Sequence, residues 1–308
     1  MKLFNDKIKM VLVAFFAVFI LVSCKKDDAN NLPTENLDAK ISANSNLSIF
    51  QAALVKTRLD NFTKGGGPFT IWAPNNDAFK KIGINSAMDL NAIDSNLLVQ
   101  IITYHIQATS RSYNEIPQGP NATMPTQSGF QQYASRKVGG SAFINGQQVV
   151  EPNILTSNGY LHIIDGLLIP PINVGLYLSL NTNYKLMLQA FTKTGTVITI
   201  NPLTIFAVPN NVMIATGYDS TTIANATGAA LTTLTSIMKY HTVNKRIFTP
   251  DFVAGALKTV QGTNVIVAST ATELSIKGTS NPTAFQLSGG NLLTTTGVIH
   301  FITGLLKP

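Results

Sequence analysis

A chain of 308 residues that is 45% hydrophobic and 12% charged is long enough for two ordinary domains and apolar enough to bury a core in each, which excludes a disordered protein. Its formal charge of +7 is spread without runs of Lys or Arg, whereas nucleic-acid binders gather basic residues on one face, so no nucleic-acid partner is expected. The only cysteine is Cys24, which excludes a disulfide within the chain.

The chain opens with Lys2, Lys7 and Lys9 and an unbroken apolar run from Met10 to Val22. That run falls short of the roughly 20 residues a helix needs to span a bilayer, and it matches the apolar region of a secretory signal. Leu21-Val22-Ser23-Cys24 resembles a bacterial lipobox, in which the cysteine is acylated and becomes the first residue of the mature protein; a signal peptide that merely contains a cysteine is the competing reading. On the lipobox reading residues 1–23 are a lipoprotein signal peptide, and their loss removes three lysines and Asp6, lowering the formal charge from +7 to +5. Lys25-Lys26-Asp27-Asp28 then resembles the Lys/Asp-rich sorting signal of Bacteroidetes-type surface lipoproteins, with a plain solvated tether as the alternative. The resemblance implies an outer-membrane, lipid-anchored protein facing the exterior or the periplasm, held through acyl chains on Cys24. Residues 24–40 are polar and aperiodic, a flexible spacer.

Next, Leu47, Phe50, Ala53, Leu54 and Val55 recur at helical spacing and predict an amphipathic helix. Phe69-Thr70-Ile71-Trp72-Ala73-Pro74 reads as a strand closed by proline, after a turn at 64–68. Asn75 and Asn76 are good N-cap residues for a helix through Asp77-Ala78-Phe79. Residues 97–106 are apolar nearly all round, a buried helix end carrying Tyr104-His105, and residues 160–169 form a strand run closed by Pro170-Pro171.

These landmarks then return. Pro74 pairs with Pro209 at an offset of 135, His105 with His241 at 136, and His162 with His300 at 138. Three landmarks in the same order mean a duplicated domain, 41–170 and 171–308, with so little linker that the copies should pack or at least restrict one another.

The set made by TIWAPNNDAF (70–79), the Tyr-His pair and AFINGQQVVEPNI leading to NGYLHIIDGLLIP (142–170) resembles the fasciclin-like domain, as two tandem copies over residues 41–308. The resemblance implies an α+β fold, each copy a β-sheet wedge with small packed helices. It also implies adhesion or extracellular binding to protein or polysaccharide without chemistry, and it associates the Tyr-His motif (Tyr104, His105, Tyr240, His241) with receptor binding. The second copy departs in two places: no Asp-Ala-Phe follows Asn210-Asn211, which removes the early helix's signature, and Thr303 replaces Asp165.

The four histidines invite a catalytic or metal reading. A nucleophilic site needs a Ser or Cys beside an oriented base, and no Gly-x-Ser-x-Gly elbow occurs. His105 and His162 stand 57 residues apart, with no third ligand signalled nearby. The expectation is no enzyme, no cofactor and no metal, with each ring half-buried and bonded to backbone. Two functions are carried: adhesion, and a glycan-binding accessory role in a polysaccharide-uptake system.

Overall fold

Leu37 and Ile41, one helical turn apart, are buried at 0% and 1% exposure, so the ordered fold begins before residue 41. Asn36 caps this first helix, α1 (Leu37–Ala43), by accepting the Ala39 N–H, and Leu37 N–H donates to Asn158 at 2.9 Å. The polar spacer therefore ends short of residue 37: two apolar residues at one-turn spacing suffice to dock a short helix. The computed structural model describes residues 33–269 and 273–308, so the proposed signal peptide and Cys24 lie outside the described residues.

The first copy continues with α2 (Ser48–Thr57), α3 (Asp60–Lys64), β1 (Phe69–Pro74), α4 (Asn76–Lys80), α5 (Ser95–Tyr104), β2 (Ile106–Gln107), β3 (Gly119–Pro125), β4 (Gln131–Arg136), β5 (Ala142–Ile144), β6 (Gln147–Thr156) and β7 (Gly159–Ile164). The second contains α6 (Val174–Leu180), α7 (Lys185–Thr194), β8 (Leu203–Ala207), α8 (Asn210–Ala215), α9 (Ser220–Asn225), α10 (Gly228–Tyr240), β9 (Thr242–Val243), β10 (Gly255–Lys258), β11 (Asn264–Ser269), β12 (Leu274–Lys277), β13 (Phe285–Leu293) and β14 (Gly297–Ile302). Each copy folds its strands into one seven-stranded sheet, β2-β1-β7-β6-β5-β4-β3 and β9-β8-β14-β13-β12-β11-β10, the same order in both. The first strand of each lies parallel to the last, with Trp72 opposite His162 and Phe206 opposite His300.

Alternation along β1 and β7 separates two cores. Ile71, Ala73, Leu161 and Ile163 pack with Phe50, Leu54, Leu98 and Ile102 on the helical face, while Trp72 and Ile164 join a second cluster on the other face. Register shifts in β3, β6 and β13 mark bulges, which bend a strand and help curl each sheet.

Two helical expectations shift. Val55 is 57% exposed, on the outer face of α2, while Leu47, Phe50, Ala53 and Leu54 are buried. Leu97 and Val99 of α5 also face outward, so this helix buries one side only. Asn75 caps α4 as expected, and Asn76 reaches back to accept the Ile49 N–H at 3.1 Å. The second copy forms its early helix without a side-chain cap, and Asn210 repeats the reach-back by accepting the Leu186 N–H at 3.0 Å. Where Asp165 accepts the Gln148 N–H, Thr303 keeps only the backbone bond to Gln286.

Candidate functional site

α5 and α10 end against the sheet, and their last turns carry Tyr104-His105 and Tyr240-His241 inward, all four at 0% exposure. The Tyr104 hydroxyl donates to Gln131 O at 2.7 Å and accepts from Asn145 Nδ2, and the Tyr240 hydroxyl donates to Asn264 O at 2.6 Å. Burial pushes the Tyr104 phenol well above its ordinary range. As a contact surface the motif is set aside, because its side chains are spent tying helix ends to loops.

The histidines resolve the same way, more deeply buried than expected. A backbone N–H can only donate, so the ring nitrogen facing one must be the bare acceptor. His105 Nε2 accepts from Leu168 N–H at 3.0 Å and His241 Nε2 from Leu306 N–H at 2.9 Å, leaving Nδ1–H to donate to Ile101 O and Phe206 O respectively, both at 2.7 Å. His162 and His300 adopt the other tautomer: Nδ1 accepts from Asn153 and Asn291 N–H, and Nε2–H donates to Arg111 and Ile247 carbonyls. Both asparagines sit at positive φ, +64° and +59°, which aims their N–H groups at the rings. Burial lowers all four imidazoles to about 4, so they are neutral at neutral pH. Among the described residues no group of three or more His, Cys, Asp or Glu could hold a metal ion, and no helix is long and apolar enough to cross a membrane.

The junction between the copies carries what the motifs do not. Phe248, Leu293 and Val298 of the second copy are buried in one cluster with Trp72, Tyr104, Ile116 and Leu168 of the first. Beside them the Arg246 guanidinium lies 3.9 Å above the Tyr133 ring, and Asn121 Nδ2 donates to the Arg246 carbonyl at 2.8 Å. Ser135 Oγ donates to Asp251 at 2.8 Å, and Asn291 Nδ2 donates to Gly146 O at 3.3 Å. Burial raises the Asp251 pKa, opposed by the Ser135 hydrogen bond and by Lys137. Sequence reasoning expected the copies to meet but missed the residues of this junction, although one signal was present. The bonds from His162 to Arg111 and from His300 to Ile247 align residues 110–112 with 246–248, so Arg246 and Phe248 stand where the first copy has Ser110 and Ser112.

Two clefts flank the junction. One, of about 460 Å³, lies between β3 and β10, with Pro202, Ile247 and Phe252 in its walls and Lys245, Arg246 and Asp251 beside them. The other, of about 630 Å³, is more polar and is lined by Lys137, Phe143, Gln148, Glu273 and Gln286 among others. Concave surfaces at domain junctions are favoured places for ligands.

Fold and junction together define a tandem pair of α+β modules, docked through an apolar seam, whose buried histidines hold backbone groups. The sequence profile of the fasciclin domain matches residues 45–170 and 182–308, and the chain belongs to that family. Among its relatives, protein sll1483 of Synechocystis sp. is 26% identical over 132 residues, covering 42% of this chain and 71% of that one. Transforming growth factor-beta-induced protein ig-h3 of Sus scrofa is 31% identical over 143 residues, covering 44% of this chain and 20% of that protein. Cell surface glycolipoprotein MPB83 of Mycobacterium bovis is 32% identical over 112 residues, covering 35% of this chain and 47% of that one. The chain thus spans most of the cyanobacterial relative but less than half of the other two. A FAS1 domain pair from the insect cell adhesion molecule fasciclin I shares 20% identity at a TM-score of 0.40, over 86% of this chain and 98% of that one. Fasciclin domains are associated with cell adhesion and extracellular binding, and the family is of non-enzymatic, adhesion type.

Proposed function

We propose that this chain is a lipid-anchored, outer-membrane surface protein of Bacteroidetes type that binds extracellular protein or polysaccharide by display of two docked fasciclin domains. The observation that carries the reading is the junction. Phe248 is fully buried against the first copy, so the pair offers one continuous surface with concave flanks rather than two independently tumbling beads. The anchor end rests on the apolar run and Cys24, and the domain division 24–40, 41–170 and 171–308 follows the repeat, with its first boundary moved back so that all of α1 falls in the first domain.

The test uses the full chain expressed on cells that lipidate it. Anchored cells are expected to adhere to immobilised extracellular matrix, and Cys24→Ser is expected to move the protein into the soluble fraction and abolish cell adhesion. Acyl labelling that persists in the Cys24→Ser variant overturns the anchor, and adhesion equal to that of cells lacking the chain overturns the display role.

A second reading, a glycan-binding accessory protein of a polysaccharide-uptake system, draws on the more polar cleft. Amides of Gln148 and Gln286, charges of Lys137 and Glu273 and the ring of Phe143 are the mixture that sugars bind through. Saturable binding on a glycan array favours this reading, and a clean negative removes it.

A further inference from the structure

The smaller cleft is bounded by strand edges. Pro120 and Asn121 of β3 line one side and Ala256 and Leu257 of β10 the other. Along β10 successive residues point to opposite faces of the sheet, so a surface that touches both Ala256 and Leu257 meets that strand along its edge; at Pro120 and Asn121 the bulge of β3 breaks the alternation. β3 and β10 are the outermost strands of their sheets. An edge strand offers unpaired N–H and C=O groups, and proteins commonly blunt it with proline or bulges. β3 is blunted in this way, by Pro120, Pro125 and a register shift. β10, Gly-Ala-Leu-Lys, is short and ends in Lys258 but has neither proline nor bulge; it pairs with β11 alone among the described residues, and Gly255, Ala256 and Lys258 are exposed.

Size and charge narrow the occupant. From its rise, the strand spacing and the sheet spacing, a strand fills roughly 160 Å³ per residue, so 460 Å³ takes about three residues. Ile247, Phe252 and Pro202 supply an apolar wall. Lys245 and Arg246 stand in the cleft and Lys258 at the end of β10, against the single lining carboxylate Asp251, which already accepts from Ser135.

We infer that this cleft takes an extended peptide segment of a partner protein, added to β10 as a further strand, with an apolar side chain on Ile247 and Phe252 and an acidic one toward Lys245 or Lys258. Main-chain hydrogen bonds to the edge supply affinity in this mode, and the side-chain wall supplies selectivity. A second copy of the chain is disfavoured as occupant. A second copy brings the same basic groups, Lys245, Arg246 and Lys258, to a cleft that already carries them, and so offers no charge complement.

The inference rests on the extracellular-binding reading, and the two are separable. The test uses the full chain in detergent with fluorescein-labelled pentapeptides in which aspartate alternates with valine, leucine or phenylalanine. At least one peptide is expected to bind saturably, to weaken by about tenfold or more when alternate backbone nitrogens are methylated, and to slow hydrogen exchange at 255–258. Lys245→Glu with Lys258→Glu is expected to shift preference to the matching lysine peptides. No binding by any peptide, equal binding of the methylated form, or protection confined to other segments each overturns the inference. So does a concentration-dependent dimer that protects β10 without peptide. Failure here with matrix adhesion intact removes the cleft and leaves the display role standing, whereas peptide binding with adhesion lost does the reverse.

Discussion

The backbone N–H of Leu168 donates to Nε2 of His105 at 3.0 Å, joining the end of α5 to the segment that leaves β7. The bond requires a neutral ring, and His162, His241 and His300 carry the same requirement. Because burial lowers each from 6.5 to about 4, the unfolded chain takes up protons between those values that the folded chain refuses. Stability therefore rises with pH across that window and is lost as pH falls through it, with a slope of up to about 1.4 kcal/mol per pH unit for each ring. Urea midpoints at about pH 7, 6 and 5 are expected to fall in that order; a flat series would mean the rings are not held neutral.

Phe248 is the anchor of the domain junction. Phe248→Ala is expected to cost about 3–5 kcal/mol and to uncouple the domains. Trp72, the only tryptophan, reports the first domain, while far-ultraviolet circular dichroism reports both. The two transitions are expected to coincide in the native chain and to separate in the variant. Coincident transitions in both proteins would show that the coupling of the domains does not depend on Phe248.

Two equivalent glycines begin the closing strands. A Cβ at Gly159 would lie 1.9 Å from Phe69 O, and one at Gly297 would lie 1.7 Å from Leu203 O. Gly159→Ala and Gly297→Ala are each expected to destabilise by about 3 kcal/mol or more, since backbone must move to admit the methyl. Gly217→Ala, at positive φ like Gly159 but with no atom near its Cβ, separates the conformational cost from the steric one and is expected to cost about 1 kcal/mol. Thermal melts of the three variants check the order.

Tyr104→Phe removes the partner of Gln131 O and of the buried Asn145 Nδ2. It is expected to lower stability by about 1–3 kcal/mol and to leave matrix adhesion unchanged at a temperature where the variant is folded. Adhesion lost by the folded variant would return the Tyr-His motif to the list of contacts.

Much of the fold was legible because it is local and written twice. The Pro-Asn-Asn turn, the apolar strand runs and the paired histidines need only near neighbours to declare themselves, and the offset of 136 between His105 and His241 exposed the duplication. The inward turn of Tyr104 was not legible, since a helix end reads alike whether its last side chain meets water or a sheet. Val55 fits the helical stripe on paper, but the neighbouring elements cover only Phe50, Ala53 and Leu54. The start of α1 was hidden because two apolar residues make too short a pattern, and the side chain that accepts the Leu37 N–H, Asn158, is more than a hundred residues away.

The sequence by itself determined the repeat, which follows from residue type and spacing, and the resemblance its motifs carry pointed to the α+β fold. Tertiary structure alone decided which sides of the modules meet. Arg246 and Phe248 become a seam only when Tyr133 and Trp72 are brought to them, and β10 becomes an open edge only when no further strand follows it in the sheet. Both are contacts between segments distant in the chain, set by how the sheets curl and dock rather than by any local pattern.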